Sequence, residues 1–210
     1  MKTISSLVLV VIGLVGLAPL LSAAEGPVFS ALKDDLVVAD GKKLKKFDES
    51  ALAQTKYYAI YYSAAWCGPC RAFTPDLVKW YKRNKNENPH FELIFVSSDR
   101  SEEDMAAYMK EDDMAWPALD FNKNKSNRTL TQYAGNGIPC LVFVDAEGKV
   151  LSDSYEGKSY VGPRKVLADM EKTLKGNPAS AEAKAAVAGA AKKKGGSSFD
   201  EFFKKKPAGQ

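Results

Sequence analysis

The sequence has 210 residues, of which 45% are hydrophobic and 27% are charged. This composition is typical of a folded globular domain and excludes a collagen-like chain. Three cysteines are too few for a disulfide-dense scaffold, and a single histidine argues against a Cys/His zinc site. The net charge of +4 is too small to indicate nucleic-acid binding by itself. We therefore expect neither a metal nor a nucleic-acid partner.

Residues 1–24 have the pattern of a secretory signal peptide. Lys2 precedes an apolar run at 7–21, and small residues at 22–24 come directly before Glu25. The run is shorter than the roughly 20 apolar residues that a membrane-spanning helix needs, although a retained anchor is the alternative. The sequence therefore predicts removal of residues 1–24 and a secreted or periplasmic location.

The rest of the chain predicts alternating strands and helices, followed by a different C-terminal segment. In the first half the predicted elements are an accessory hairpin at 36–38 and 42–46, a buried strand at 57–63, a helix from the Cys-x-x-Cys motif to about residue 85, and a buried strand at 91–97. In the second half they are a helix that Ser101 begins, an extended stretch at 114–121, a short helix at 129–133, a strand at 140–145 with its hairpin partner at 149–153, and a helix at 166–174. This order predicts an α/β fold with a central mixed sheet flanked by helices.

The chemistry of this sequence is concentrated at Cys67 and Cys70, which Gly68 and Pro69 separate at a predicted helix start. The free N–H groups and positive dipole end of a helix stabilise a thiolate. We expect Cys67 to be the exposed attacking thiolate and Cys70, one turn deeper, to resolve the mixed disulfide. A purely structural disulfide and half of a metal site are the alternatives, and the latter lacks a second pair of ligands.

Several stretches around this motif carry a resemblance to a known family. Residues 63–75 (SAAWCGPCRAFTP), 96–103, 114–118 and 137–139 resemble the thioredoxin superfamily, and more closely its tryparedoxin/nucleoredoxin-like branch. The resemblance covers roughly residues 28–176. It implies a thioredoxin-like fold and thiol–disulfide oxidoreductase activity.

The resemblance also identifies a loop that would face the cysteine pair. Ile138 and Pro139 resemble the family's cis-proline loop, in which the backbone of Ile138 would pair with an extended substrate segment. Trp66 is expected to form part of the same substrate surface. An ordinary trans proline at a strand start is the alternative.

Two positions near the motif depart from the family pattern. Tyr61 occupies the position where thioredoxins have a buried aspartate, so proton removal from Cys70 lacks its usual base. Asp99 is the nearest replacement by topology as a proton acceptor, and a solvated loop acid is the alternative. His90 lies in a polar loop, and we expect it at the surface.

Cys140 follows Pro139 directly, where the family commonly has threonine. Its apolar neighbours favour a small buried side chain. The alternative is a third redox thiol that traps or exchanges a disulfide near the Cys-x-x-Cys motif.

The domain organisation follows from these elements and from the charge distribution. We expect residues 25–175 to form the thioredoxin-like domain. Residues 176–210 are rich in alanine and lysine and carry seven lysines against three acids, so the basic excess of the chain belongs to them. We expect this tail to be disordered and solvated, and contact of its aromatic, basic end with an anionic membrane is the alternative.

Together these observations predict a secreted thiol–disulfide oxidoreductase that reduces disulfides of substrate proteins through a Cys67–Cys70 dithiol/disulfide cycle. It would need no cofactor, and a membrane-linked or other thiol reductant would restore the dithiol. A disulfide oxidase or isomerase, which runs the same exchange in another direction, is one alternative. A non-catalytic thioredoxin-fold binding or chaperone module is the alternative from a different class.

Overall fold

The structure is a computed structural model, and it describes residues 26–185 with the exception of residues 42, 53 and 182. The predicted signal peptide at 1–24 and most of the predicted tail lie outside the described residues. The disorder and membrane contact of the tail therefore stay predictions. No helix in the described part of the chain is long and apolar enough to cross a membrane.

The described elements follow the predicted alternation of strands and helices. In the first half they are α1 (Pro27–Leu32), β1 (Leu36–Asp40), β2 (Lys43–Lys46), β3 (Tyr57–Ser63), α2 (Gly68–Asn84), β4 (Phe91–Ser97) and α3 (Glu102–Glu111). In the second half they are β5 (Ala118–Leu119), α4 (Arg128–Thr131), β6 (Cys140–Asp145), β7 (Val150–Asp153), β8 (Tyr155–Glu156), β9 (Ser159–Tyr160) and α5 (Pro163–Gly176). The three buried strands predicted at 57–63, 91–97 and 140–145 are confirmed with their bounds. The β8–β9 hairpin was not predicted.

A seven-stranded sheet in the order β2-β1-β5-β4-β3-β6-β7 forms the centre of the fold. β3 runs parallel to β4 and antiparallel to β6, so the sheet is mixed as predicted. Because β6 is antiparallel to β3, the first residue of β6 lies beside the end of β3, at the same end of the strands. This arrangement brings the loop before β6 next to the segment that follows β3, which contains both motif cysteines.

Two expectations about the periphery are wrong. The β1–β2 hairpin is not accessory, because Leu36 and Val37 of β1 pair with β5 and join the hairpin to the main sheet. His90 is not at the surface: it is 3% exposed, and its Nε2 lies 2.9 Å from the backbone oxygen of Asn177 just after α5. Its ring also packs edge-on against Tyr57. The polar loop before β4 thus turns its last residue inward.

Helices cover both faces of the sheet. The first face carries Ala59 and Tyr61 of β3 and packs against α2, α3 and α5. The second face carries Ile60 and Tyr62 and packs against α1 and α4. Because side chains of a strand alternate between the two faces and both are buried here, β3 has a continuous apolar sequence instead of an alternating one.

Candidate active site

Cys67 and Cys70 lie at the first turn of α2, and their sulfur atoms are joined in a disulfide. Cys67 is the N-cap residue of the helix, and its sulfur accepts a hydrogen bond from the backbone N–H of Cys70 at 3.2 Å. Cys67 is 6% exposed and Cys70 is completely buried, so an incoming thiol meets Cys67 first. In the reduced protein the same N–H and the helix dipole would stabilise a thiolate at Cys67.

Gly68 and Pro69 shape the turn that brings the two cysteines together. Both occupy the first positions of α2, where the missing N–H of proline costs no helical hydrogen bond. Space around Gly68 is open, because a Cβ added at this position would meet no atom within 4 Å beyond its chain neighbours and the backbone of its own helix.

The loop before β6 faces the cysteine pair. The peptide bond between Ile138 and Pro139 is cis, as the resemblance of this loop implied. The backbone oxygen of Ile138 lies 3.7 Å from the sulfur of Cys67, and the Ile138 side chain packs against the cysteine pair. The structure therefore brings the redox motif and the proline loop together at one edge of the sheet.

Asp99 supports the segment that precedes Cys67. One carboxylate oxygen of Asp99 accepts from the backbone N–H of Ala65 at 2.7 Å, and the other accepts from the hydroxyl of Ser97 at 2.8 Å. Burial raises the pKa of Asp99 above the ordinary carboxyl value. Its described contacts hold the turn before Trp66 and do not reach Cys70, so the role of proton acceptor stays a prediction.

Trp66 is the exposed member of this segment. Trp66 is 58% exposed, and its Nε1 donates to the backbone oxygen of Ser98 at 3.1 Å. The hydrogen bond orients the indole beside Cys67 without burying it. This position fits the predicted substrate surface.

A cluster of four buried hydroxyl groups lies beneath Cys70, and we call it the hydroxyl cluster. Its centre is Thr74 Oγ1, which donates to the backbone oxygen of Cys70 and lies 2.8 Å from the hydroxyl of Tyr61 and 2.7 Å from that of Tyr108. Tyr108 in turn lies 2.9 Å from Ser63 Oγ. The cluster occupies the side of the sheet where thioredoxins have their buried aspartate.

The hydroxyl cluster is neutral at ordinary pH. Burial raises the pKa of Tyr61 and of Tyr108 above the ordinary tyrosine value of about 10. The replacement at Tyr61 was recognisable in the sequence, but its partners were not predicted. Thr74 stands one turn after Cys70 and was a recognisable signal, whereas Tyr108 comes from α3 and is adjacent only in the fold.

Cys140 does not face the cysteine pair. Its side chain packs with Tyr62 and Val142 on the face of the sheet opposite α2, and it is fully buried. Burial raises the pKa of its thiol to about 11. These observations support the interpretation of Cys140 as a small buried side chain over that of a third redox thiol. The described residues also contain no cluster of three or more side chains suited to hold a metal ion.

Comparisons with known proteins agree with this geometry. A family model described as thioredoxin-like matches residues 54–150. Thioredoxin from Wuchereria bancrofti is 36% identical, and its match covers 66% of this chain and 94% of that protein with a TM-score of 0.50. Tryparedoxin II from C. fasciculata is 29% identical, and its match covers 75% of this chain and 99% of that protein with a TM-score of 0.53.

Curated relatives include human nucleoredoxin, which is 38% identical over 50% of this chain. The chain spans only about a quarter of the length of that relative, at 24%. A similar match to probable nucleoredoxin 1 from Arabidopsis thaliana covers 61% of this chain and 21% of the plant protein. The similarity therefore concerns only a part of these longer proteins.

The predicted secreted or periplasmic location is wrong. Nucleoredoxins, the relatives that this chain matches in human, zebrafish and Arabidopsis, are typically cytosolic or nuclear proteins. The prediction depended on the apolar run at 7–21, a compositional pattern that is not unique to secreted proteins. Those residues lie outside the described part of the chain.

Proposed function

Because this chain belongs to the thioredoxin superfamily, in its tryparedoxin/nucleoredoxin-like branch of thiol–disulfide oxidoreductases, we propose that it reduces disulfides of substrate proteins through Cys67 and Cys70. One observation carries the proposal: the two cysteines share the first turn of α2, and the Cys67 sulfur faces the backbone oxygen of Ile138. Proteins of this family act on disulfide substrates and use thiol reductants. The boundaries that we propose for the domain, 25–175, are supported by α1 and α5 at its two ends.

The first step is attack by the Cys67 thiolate on a substrate disulfide. A bond forms between Cys67 and one substrate sulfur, and the substrate disulfide breaks, so the other substrate sulfur leaves as a thiolate and takes up a proton. The N–H of Cys70 and the positive end of α2 favour the thiolate form of Cys67. Ile138 then offers its backbone to an extended substrate segment beside the new bond.

The second step releases the reduced substrate. Cys70 loses its proton and attacks the sulfur of Cys67, and the substrate leaves as its second thiol. Two electrons have then passed from the Cys67–Cys70 dithiol to the substrate, and the oxidised pair is the state that the structure holds. A membrane-linked or other thiol reductant returns the pair to the dithiol.

Insulin reduction and trapping of mixed disulfides test this function. We expect the wild-type protein to reduce insulin with dithiothreitol as the donor. Cys70→Ser should accumulate mixed disulfides on non-reducing gels, and Cys67→Ser should form none, because only Cys67 attacks the substrate. Absence of wild-type turnover would favour a non-catalytic binding module.

The reduction potential decides the direction of the exchange. A value near about −270 mV, that of thioredoxin, supports a reductase. A value near about −120 mV, that of a strong oxidant, would favour an oxidase instead. Equilibration of the Cys67–Cys70 pair with glutathione buffers, followed by alkylation and mass spectrometry, measures it.

A further inference from the structure

The β8–β9 hairpin is rigidly attached beside the proline loop. Ser154, directly before the hairpin, is fully buried, and its hydroxyl donates to the backbone oxygen of Leu141 at 3.0 Å and accepts from the Leu141 N–H at 2.8 Å. The N–H of Val161, directly after the hairpin, donates to the backbone oxygen of Ser154 at 2.9 Å. Both ends of the hairpin are therefore tied to the start of β6.

Two tyrosines of the hairpin contact the proline loop on either side of Ile138. The hydroxyl of Tyr160 donates to the backbone oxygen of Pro139 at 2.8 Å. The hydroxyl of Tyr155 donates to the backbone oxygen of Gly137 at 3.4 Å. The ring of Tyr155 packs on the backbone of Gly135, where an added Cβ would come within 2.1 Å of it. The middle carbonyl, that of Ile138, faces Cys67.

Tyr160 nevertheless stays 51% exposed as a residue. Val161 beside it is also exposed, and Trp66 is exposed on the other side of the motif. In the sheet, β3 lies between β4 and β6. The Trp66 indole is hydrogen-bonded to Ser98, which follows β4, whereas Tyr160 is hydrogen-bonded to Pro139, which precedes β6. Exposed aromatic rings therefore lie on both sides of Cys67.

We propose, on the premise of the proposed function, that Tyr160 is a specificity-determining residue. Its ring contacts the substrate segment beside the attacked cysteine and favours an aromatic or aliphatic side chain at that position. An aromatic ring whose hydroxyl is already anchored loses little conformational freedom when it binds, and it offers a large apolar surface. The substrate class is therefore an extended protein segment in which the disulfide cysteine has an apolar neighbour.

Matched peptides test this specificity. We compare two peptides with an intermolecular disulfide, identical except for Phe or Ser next to the attacked cysteine, and use 2-hydroxyethyl disulfide as a substrate without a flanking residue. We expect the wild-type protein to prefer the Phe peptide by about tenfold in kcat/KM, which corresponds to about 1.4 kcal/mol. Tyr160→Ser should lose this preference, because its kcat/KM for the Phe peptide falls relative to its rate with 2-hydroxyethyl disulfide.

Two further variants separate recognition from support of the loop. Tyr160→Phe lacks the hydrogen bond to Pro139 but retains the ring, so it should keep the preference for the Phe peptide. Val150→Ser removes a comparably exposed apolar side chain from the far end of β7, and its kinetics should equal those of the wild type. Circular dichroism verifies that each variant is folded.

Three outcomes would overturn the proposal. One is a wild-type protein without preference between the two peptides, a result that needs no variant. Another is an equal fall of all three rates in Tyr160→Ser, which would show a structural role. A wild-type protein inactive on 2-hydroxyethyl disulfide as well would refute the proposed function and this inference with it, whereas activity without peptide preference refutes the inference alone.

Discussion

Replacing Thr74 by valine removes the hydroxyl at the centre of the hydroxyl cluster with little change in side-chain volume. Thr74 Oγ1 makes three contacts of 2.7–2.9 Å, with Tyr61, Tyr108 and the backbone oxygen of Cys70. A buried hydrogen bond contributes about 1 kcal/mol, and a buried polar group left without a partner costs about 1–3 kcal/mol. Tyr108 keeps Ser63 as a partner. We therefore expect Thr74→Val to lower the free energy of unfolding by about 2–4 kcal/mol.

Urea unfolding of the oxidised protein, followed by tryptophan fluorescence, measures this change. Tyr61→Phe is the matched control, because it removes one hydroxyl of the same cluster and leaves Thr74 its other two partners. Its expected cost is about 1 kcal/mol. If Thr74→Val unfolds within about 0.5 kcal/mol of the wild type, the range of ordinary surface substitutions, the hydroxyl cluster does not stabilise the fold as we argue.

The same variant tests whether the cluster passes protons. Because burial raises the pKa of Tyr61 and Tyr108, both hydroxyls stay protonated through the pH range of thiol–disulfide exchange. Thr74→Val should therefore leave the pH profile of kcat/KM with insulin unchanged while it lowers stability. A shifted profile would show that the cluster takes part in the proton transfer of Cys70.

Three further predictions concern single residues. Adding Cys140→Ala to Cys70→Ser should leave the trapped mixed disulfides unchanged on non-reducing gels, because the Cys140 thiol is buried on the opposite face of the sheet. Loss of these adducts would support a redox role for Cys140. Asp99→Asn should lower the free energy of unfolding at pH 7 by about 1–2 kcal/mol in urea titrations, since one acceptor for Ala65 or Ser97 is lost, and an unchanged midpoint would contradict this role. Burial lowers the pKa of His90 in the folded protein, so the unfolded chain binds the proton more readily. The wild type should therefore lose stability as the pH falls below about 6.5. Parallel stability curves for His90→Gln and the wild type between pH 7.5 and 5.5 would refute this reading.

Local sequence patterns predicted the central strands and the redox motif because the information they need is local. A run of six apolar or aromatic residues at 57–62, with Lys56 before it and Ser63 after it, suffices for β3. The spacing of Cys67 and Cys70 suffices for their pairing. The attachment of the β1–β2 hairpin could not be read in this way, because its partner β5 lies about 80 residues further along. The prediction that His90 lies at the surface was wrong for the same reason, since its partner Asn177 is 87 residues away in the sequence.

The contacts around the site depended on distant residues as well. Asp99 was expected near the motif from topology, but its hydrogen bond to Ala65 needed the relative position of β3 and β4. Tyr160 was not foreseen, because its short strand carries no periodic pattern and its partner Pro139 precedes a different strand. The cis-proline loop itself was found only through the resemblance of its residues.

The exchange of a buried carboxylate for neutral hydroxyls changes how Cys70 can lose its proton. Within the described residues, the backbone N–H of Cys70 donates to the sulfur of Cys67 and its backbone oxygen accepts from Thr74. The groups beneath Thr74 are tyrosine hydroxyls with raised pKa. Such groups do not accept a proton at neutral pH. Cys70 is also fully buried in the oxidised state, so bulk water does not contact its sulfur there. The substrate thiolate released in the first step is a base formed beside Cys67, which makes it, besides Asp99, a candidate acceptor for the proton of Cys70.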